Sequence, residues 1–224
     1  FFKTTVPANT LAWALGARTN AAAGAAYTNA SVALGLRRLK VPIGGNAERS
    51  GANGQFLAVP PYLNSSGDTY FMSLAASPGT RLNLASYRQP VGTMPFEVSS
   101  FAVSLPADTF FYRTYRVDVP VEQIAWDLTA TSTSGNLQIA ARRGNVPNPG
   151  NNDAFAEAPA GVADGLTLVP PVLSNGIWYV TIYTDGAAAA GSIRTGPPVV
   201  TDIAFVSQTT NDATTKSGWR IYRV

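Results

Sequence analysis

The residue types on which most enzymes depend are missing or unpaired in this sequence. The chain contains no His, which excludes Ser-His-Asp triads, His-ligated zinc sites and imidazole general bases. Glycosidases and aspartic proteases need two cooperating carboxylates, but Glu48, Asp68 and Glu97 have no acidic counterpart in the second of two sequence repeats. A Ser-Lys dyad stays open, although no Lys lies in a recognisable nucleophile motif. The sequence therefore predicts a protein without catalytic residues.

Two Arg pairs are the charged residues that recur along the chain. Arg37 and Arg38 in SVALGLRRLKVP align with Arg142 and Arg143 in NLQIAARRGNVP. Alternation along a strand places Arg38 and Arg143 in phase with the buried side, where they would bond loop carbonyls or a carboxylate. The same alternation directs Arg37 and Arg142 outward, which makes them candidate ligand contacts.

An aromatic strand provides the other ligand-binding candidates. In WYVTIY, Trp178, Val180 and Ile182 lie on one side, and Tyr179 and Tyr183 lie on the other. If the two Tyr side chains share an outer face with Arg142, together they form a shallow binding surface. The alternative is an ordinary solvated sheet face.

One polar loop could bind a hard cation such as calcium, the only cofactor that the sequence suggests. The segment GNVPNPGNNDAFAE offers oxygen ligands from Asn151, Asn152, Asp153 and Glu157. Their spacing does not match an EF-hand loop. The alternative interpretation is a polar turn without a metal.

The elements that carry these residues occur twice. FKTTVPANTLAWAL from Phe2 matches YRVDVPVEQIAWDL from Tyr115, and three further blocks match in the same order. A third fragment, GWRIYRV, repeats FYRTYRV at the end of the sequence. We therefore predict a first repeat with a linker strand over residues 1–108, a second repeat with a linker over 109–217, and the start of a third over 218–224.

The matched blocks have the pattern of short strands. They alternate apolar and polar residues and are separated by Gly, Pro, Asn and Ser clusters. Only 13% of the residues are charged, and Trp13 and Trp126 recur between apolar neighbours as predicted core anchors. The sequence predicts an all-β chain with two tandem, jelly-roll-like antiparallel β-sandwich domains.

The second repeat resembles a known family. NLQIAARRG, a loop rich in Pro and Asn, and then LSNGIWYVTIY are similar to the bacterial pre-peptidase C-terminal domain, whose pattern runs D-x-D-L-Y-V-R-x-G and then G-x-Y-Y-V-x-V. The resemblance implies secreted β-sandwiches that accompany extracellular proteases and other secreted enzymes. The acidic positions of D-x-D fall here on Asn136 and Gln138, and on Ser31 and Ala33 in the first repeat.

These observations favour a non-catalytic accessory, binding or spacer module of a secreted, periplasmic or cell-surface bacterial protein. Its expected partners are other domains of a longer polypeptide and a protein or polysaccharide ligand. The alternative is a structural repeat subunit of an extracellular fibre, sheath or larger complex. The net charge of +3 is spread without a Lys/Arg run, which argues against nucleic acid. No apolar run reaches the roughly 18 residues of a membrane span.

Overall fold

A computed structural model describes residues 1–19, 33–43, 45–51, 55–79, 82–105, 112–184, 188–198, 200–202 and 221–223. Within these ranges the chain forms strands and no helix. Most of the strand pairs are antiparallel. The predicted all-β class, built from antiparallel sheets in β-sandwiches, is confirmed. No helix in this part of the chain is long and apolar enough to cross a membrane.

The first half of the chain forms two facing sheets. Its strands are β1 (Phe2–Val6), β2 (Trp13–Thr19), β3 (Ala33–Arg38), β4 (Arg49–Gly51), β5 (Gln55–Ala58), β6 (Asp68–Ala75) and β7 (Leu82–Arg88). One sheet has the order β1-β6-β3-β4 and the other the order β5-β2-β7. Between them, the ring of Trp13 lies 5.4 Å from that of Tyr70, and its indole Nε1 donates a hydrogen bond to Ser86.

The second half repeats this arrangement and adds a strand to each sheet. Its strands are β8 (Val91–Thr93), β9 (Val98–Leu105), β10 (Tyr112–Val119), β11 (Trp126–Ser134), β12 (Gln138–Arg143), β13 (Ala154–Ala156), β14 (Asp164–Leu168), β15 (Gly176–Tyr183) and β16 (Ala189–Gly196). The sheets have the orders β13-β12-β15-β10-β8 and β14-β11-β16-β9. In the core between them, Trp126 packs edge-on against Trp178 with ring centroids 5.7 Å apart, and it donates to Thr195 Oγ1.

The sheets divide the chain at a different point from the sequence blocks. β8 and β9 lie before the predicted boundary at 108/109, in the part predicted to be a linker of the first repeat. The structure pairs β8 with β10 and β9 with β16, so both strands belong to the sheets of the second half. The core of the second half is larger for this reason, and Met94, Val103 and Leu105 are buried in it.

The last two described strands repeat one local pairing. β17 (Val200–Asp202) and β18 (Ile221–Arg223) pair in parallel, with Val200 opposite Ile221. β8 pairs with β10 in the same direction, with Val91 opposite Thr114. Residues 203–217, 218–220 and 224 lie outside the described residues, so the third repeat stays a prediction.

Candidate binding cleft between the two halves

A buried apolar layer joins the two halves. Alternation in β2 and β5 directs Trp13 and Leu15 into the first core and leaves Ala12, Ala14, Leu57 and Val59 on the opposite face. That face packs against the outer face of β10, β12 and β15. The residues that the second half contributes to this interdomain layer are Tyr112, Ala140, Val146, Tyr179 and Tyr183. Small Ala side chains on both faces allow the two sheets to approach closely.

Three side chains of the second half fasten its edge to the backbone of the first. Arg142 Nη1 donates a hydrogen bond of 2.8 Å to the carbonyl of Pro60, and Asn151 Nδ2 donates to the same oxygen at 3.2 Å. Asn148 Nδ2 donates to the carbonyl of Leu57 at 2.8 Å. The backbone carbonyls of Leu57, at the end of β5, and of Pro60, in the turn after it, therefore accept hydrogen bonds although no further strand pairs with them.

The Tyr side chains that were predicted to form a binding surface lie in this interdomain layer. Tyr179 and Tyr183 share one side of β15, as period-two alternation predicts, but they are only 9% and 5% exposed. The expectation of an open face is corrected, because the first half covers it. Tyr183 also stacks on Phe155. Of the predicted ligand contacts on this face, Arg142 alone reaches the rim, where solvent is accessible; a ligand contact by these residues stays a prediction.

A cleft of about 910 Å³ opens where the interdomain layer meets solvent. The first half contributes Arg49 and Tyr62 to its walls, and the second half contributes Arg142, Asn148 and Asn151. The described residues that line it include no Asp or Glu. The size falls within the range of typical small-molecule sites.

Arg49 is held over an aromatic ring in this cleft. Its guanidinium lies 5.1 Å from the ring centroid of Tyr62, and its Nη1 donates to the carbonyl of Glu48 at 2.8 Å. Burial, and then the nearby carboxylate of Glu48, raise the pKa of Tyr62 well above its usual range, so the phenol stays neutral. The phenol oxygen is buried beside the carboxylate of Glu48. Arg49 was not predicted from the sequence, because it belongs to no repeated motif.

The Arg pair of the first half has acidic neighbours. Arg37 Nε lies 3.9 Å from a carboxylate oxygen of Glu48, and Arg38 Nε lies 3.7 Å from Asp68. Arg143 donates to the carbonyl of Asn175. Arg38 and Arg143 are both exposed, which corrects their expected burial, because each lies at the last residue of its strand. The predicted bonds to a loop carbonyl or a carboxylate are present.

Glu48 has an acidic counterpart, contrary to the sequence analysis. Glu48 accepts a hydrogen bond from the backbone N–H of Arg38, and Asp153 accepts one from the backbone N–H of Arg143. The backbone N–H of Glu48 bonds Leu36, and that of Asp153 bonds Ala141. Both carboxylates therefore close the same turn.

The predicted calcium ligands are used in other ways. The amides of Asn151 and Asn152 donate to backbone carbonyls, Asp153 accepts from Arg143, and Glu157 is exposed. Within the described ranges, no three His, Cys, Asp or Glu side chains are grouped closely enough to hold a metal. Calcium binding stays a prediction that no contact tests.

A carboxyl group is buried in the second half. Asp164 is 1% exposed; it accepts a hydrogen bond from Ala158 N–H through Oδ1, whereas its Oδ2 has no partner. Burial is the main cause that raises its pKa to about 6. Asn136 bonds the carbonyl of the same Ala158. This carboxyl couples the stability of the second half to pH.

Comparison with known proteins finds only weak similarity. No family model matches the chain, and no curated protein sequence is significantly similar to it. The pre-peptidase C-terminal domain of a collagenase from Bacillus anthracis shares 11% identity, with a TM-score of 0.39 over 48% of this chain and 95% of that one. A periplasmic inhibitor of g-type lysozyme from Aeromonas hydrophila, PliG, shares 14% identity, with a TM-score of 0.32 over 48% and 96%. At these values the likenesses carry no argument about function.

Proposed function

We propose that this chain is a non-catalytic, two-domain binding module of a longer secreted, periplasmic or cell-surface bacterial protein. Its two halves are tandem copies of one sandwich of the pre-peptidase C-terminal type. The module holds a polymer in the cleft between the halves and so places a neighbouring domain of the same polypeptide close to that polymer.

The interdomain layer is the observation that carries this proposal. Leu57 and Ala140 are at most 1% exposed, so the two halves bury apolar surface against each other as a protein core does. Domains joined by a large apolar interface hold a fixed relative orientation, unlike domains on a flexible linker. A fixed orientation keeps the cleft open and its walls in place.

The lining of the cleft supports a role in binding without catalysis. Hydrolysis of a glycosidic bond requires two carboxylates at a fixed separation, and the described lining has Arg, Asn, Ser and Tyr as its polar residues. These groups hydrogen-bond a ligand well. They lack an acid and base pair, which supports an accessory role beside a separate catalytic domain.

A cleft-filling substitution tests the proposal. Gly150 is exposed on the wall of the cleft, and a Cβ added there would contact only Asn148 Oδ1, at 3.7 Å, so Gly150→Trp narrows the opening and leaves the interdomain layer intact. We expect a panel of insoluble polysaccharides and fibrous proteins to retain the unaltered chain in co-sedimentation, and the same polymer to release the Gly150→Trp variant. Failure of every polymer to retain the chain, or equal retention of both proteins, would contradict the proposal.

Assembly with a second copy is an alternative that one surface favours. Phe1, Phe2 and Ile43 of the first half are 73%, 45% and 62% exposed. Phe1 and Ile43 line the same groove, and contiguous exposed apolar side chains are typical of contact surfaces. Sedimentation of a stable oligomer, lost in a Phe1→Ser, Ile43→Ser variant, would favour a structural subunit, whereas a monomer at high concentration would favour the binding module.

A further inference from the structure

We propose that the cleft recognises an acidic polysaccharide, and that Arg49 and Arg142 bind carboxylates of its uronate units from opposite halves of the molecule. This inference rests on the proposed binding function and names its ligand class. Nothing in the sequence repeat assigns such a pair, because the two Arg residues do not occupy equivalent positions.

Both guanidinium groups are held in place without being neutralised. Arg142 is anchored by the carbonyl of Pro60, and Arg49 is anchored by the carbonyl of Glu48 and the ring of Tyr62. Among the described residues, neither guanidinium forms a salt bridge with a carboxylate. A guanidinium has five N–H donors, so each retains most of its donors for a ligand.

The contrast with Arg37 shows that this arrangement is not a general property of the Arg pairs. Arg37 occupies the position in β3 that Arg142 occupies in β12, and it faces the carboxylate of Glu48 at 3.9 Å. Glu48 does not line the cleft. Two cations without a salt-bridge partner, in a cleft whose described lining includes no acidic residue, favour an anionic ligand.

A carboxylate fits the donors because guanidinium and carboxylate groups form parallel, charge-assisted hydrogen bonds. The remaining polar lining groups suit the hydroxyl groups of a sugar. They include the amides of Asn148 and Asn151. The ring of Phe56 provides apolar contact for the face of a pyranose.

An acidic peptide fits the same cleft less well. Extended peptides bind by adding a strand to a free sheet edge, where backbone groups provide much of the affinity. At β5, the carbonyl of Leu57 already accepts from Asn148. In the turn that follows, the carbonyl of Pro60 accepts from Arg142 and Asn151. A ligand recognised through its own hydroxyl and carboxylate groups avoids this competition.

Calorimetric titration with matched oligosaccharides tests the inference. The probes are oligogalacturonate, oligomannuronate, the neutral methyl ester of oligogalacturonate, and an oligoglutamate peptide. We expect at least one uronate to bind about tenfold or more tightly than the ester, as one charge-assisted pair predicts, and to bind more weakly at high salt. Arg49→Gln and Arg142→Gln should each reduce uronate affinity about tenfold and leave affinity for the ester unchanged.

Arg194→Gln provides the matched control, because it removes one positive charge from the far sheet of the second half, outside the cleft. Equal binding of uronate and ester, tighter binding of oligoglutamate, an equal loss in Arg194→Gln, or no uronate binding would each overturn the inference. If a neutral polymer is retained and Gly150→Trp releases it, the proposed binding function stands while the acidic ligand is rejected. Arg49 is exposed, so its variant keeps the test valid if Arg142→Gln disturbs the interface.

Discussion

The two halves share a sheet order but differ on the outer faces of equivalent sheets. In the first half, the outer face of β2, β5 and β7 carries Ala14, Leu57 and Ala85, which belong to or border the interdomain layer. The register of the sheets places Asp127, Thr167 and Arg194 at the equivalent positions of the second half. Asp127 bonds both of the others, with 2.7 Å from Thr167 Oγ1 to Asp127 Oδ1 and 3.8 Å from Arg194 to Asp127.

This difference shows that the junction is specific to one pair of faces. An apolar face is stable when another sheet covers it, and a face of paired polar groups is stable in water. The equivalent face of the second half carries paired polar groups instead. A further copy packed on that face would meet a polar surface and not an apolar one.

The largest loss of stability should come from a substitution that gives the first half a residue of the second. Leu57→Thr removes a fully buried side chain from the interdomain layer and buries a hydroxyl there, so we expect a loss of about 3 kcal/mol in the free energy of unfolding. The reciprocal Thr167→Leu, on the half-buried polar face, should change it by less than about 1 kcal/mol. Denaturant unfolding measures both values. Equal effects of the two substitutions would refute the asymmetry of the faces.

A smaller effect should come from the buried acid of the second half. Folding raises the pKa of Asp164 to about 6, so the folded state binds this proton more tightly than the unfolded state. Stability is therefore highest below the unfolded pKa and falls as pH rises through about 6.

Asp164→Asn removes the charge and keeps an oxygen that can accept from Ala158. We expect this variant to be more stable than the parent by about 2 kcal/mol at pH 7.5, with the difference vanishing near pH 4. Thermal or denaturant unfolding across that pH range gives the difference curve. A difference that is flat with pH, or that grows toward acid, would disprove the role of this carboxyl.

The smallest difference in stability should be that between variants of Arg142 and Arg37, which occupy equivalent positions in the two halves. Arg142→Gln removes a hydrogen bond between the halves, to Pro60, and should cost about 1 kcal/mol. Arg37→Gln disrupts a partly exposed 3.9 Å ion pair within one half and should cost about 0.5 kcal/mol or less. Unfolding curves at equal salt compare the two. A larger loss of stability in Arg37→Gln than in Arg142→Gln would contradict the proposed contribution of the hydrogen bond between Arg142 and Pro60.

Local pattern was enough to predict the cores and the side on which each strand residue lies. Trp13 and Trp126 are buried as predicted, and Tyr179 and Tyr183 do share a side. Period-two alternation fixes these features because it depends only on neighbouring residues. The cover over the two Tyr side chains depends on a sheet more than a hundred residues away, which no local pattern reveals.

Two features of the sequence indicate contacts that the repeated motifs do not. Glu48 and Asp153 each lie ten residues after the second Arg of a pair. This equal spacing identifies them as counterparts, although the sequences around them do not align. The apolar Leu57 stands where the second repeat has Thr167. An outer position that is apolar in one repeat and polar in the other indicates a covered face.

The orientation of the two halves in solution tests the central claim most directly. Residual dipolar couplings report whether the backbone amides of β3 and β6 share one alignment tensor with those of β12 and β15. A rigid interdomain layer predicts a single tensor that fits both halves. Two different tensors in the unaltered protein would contradict the account, because halves that move independently cannot maintain the cleft.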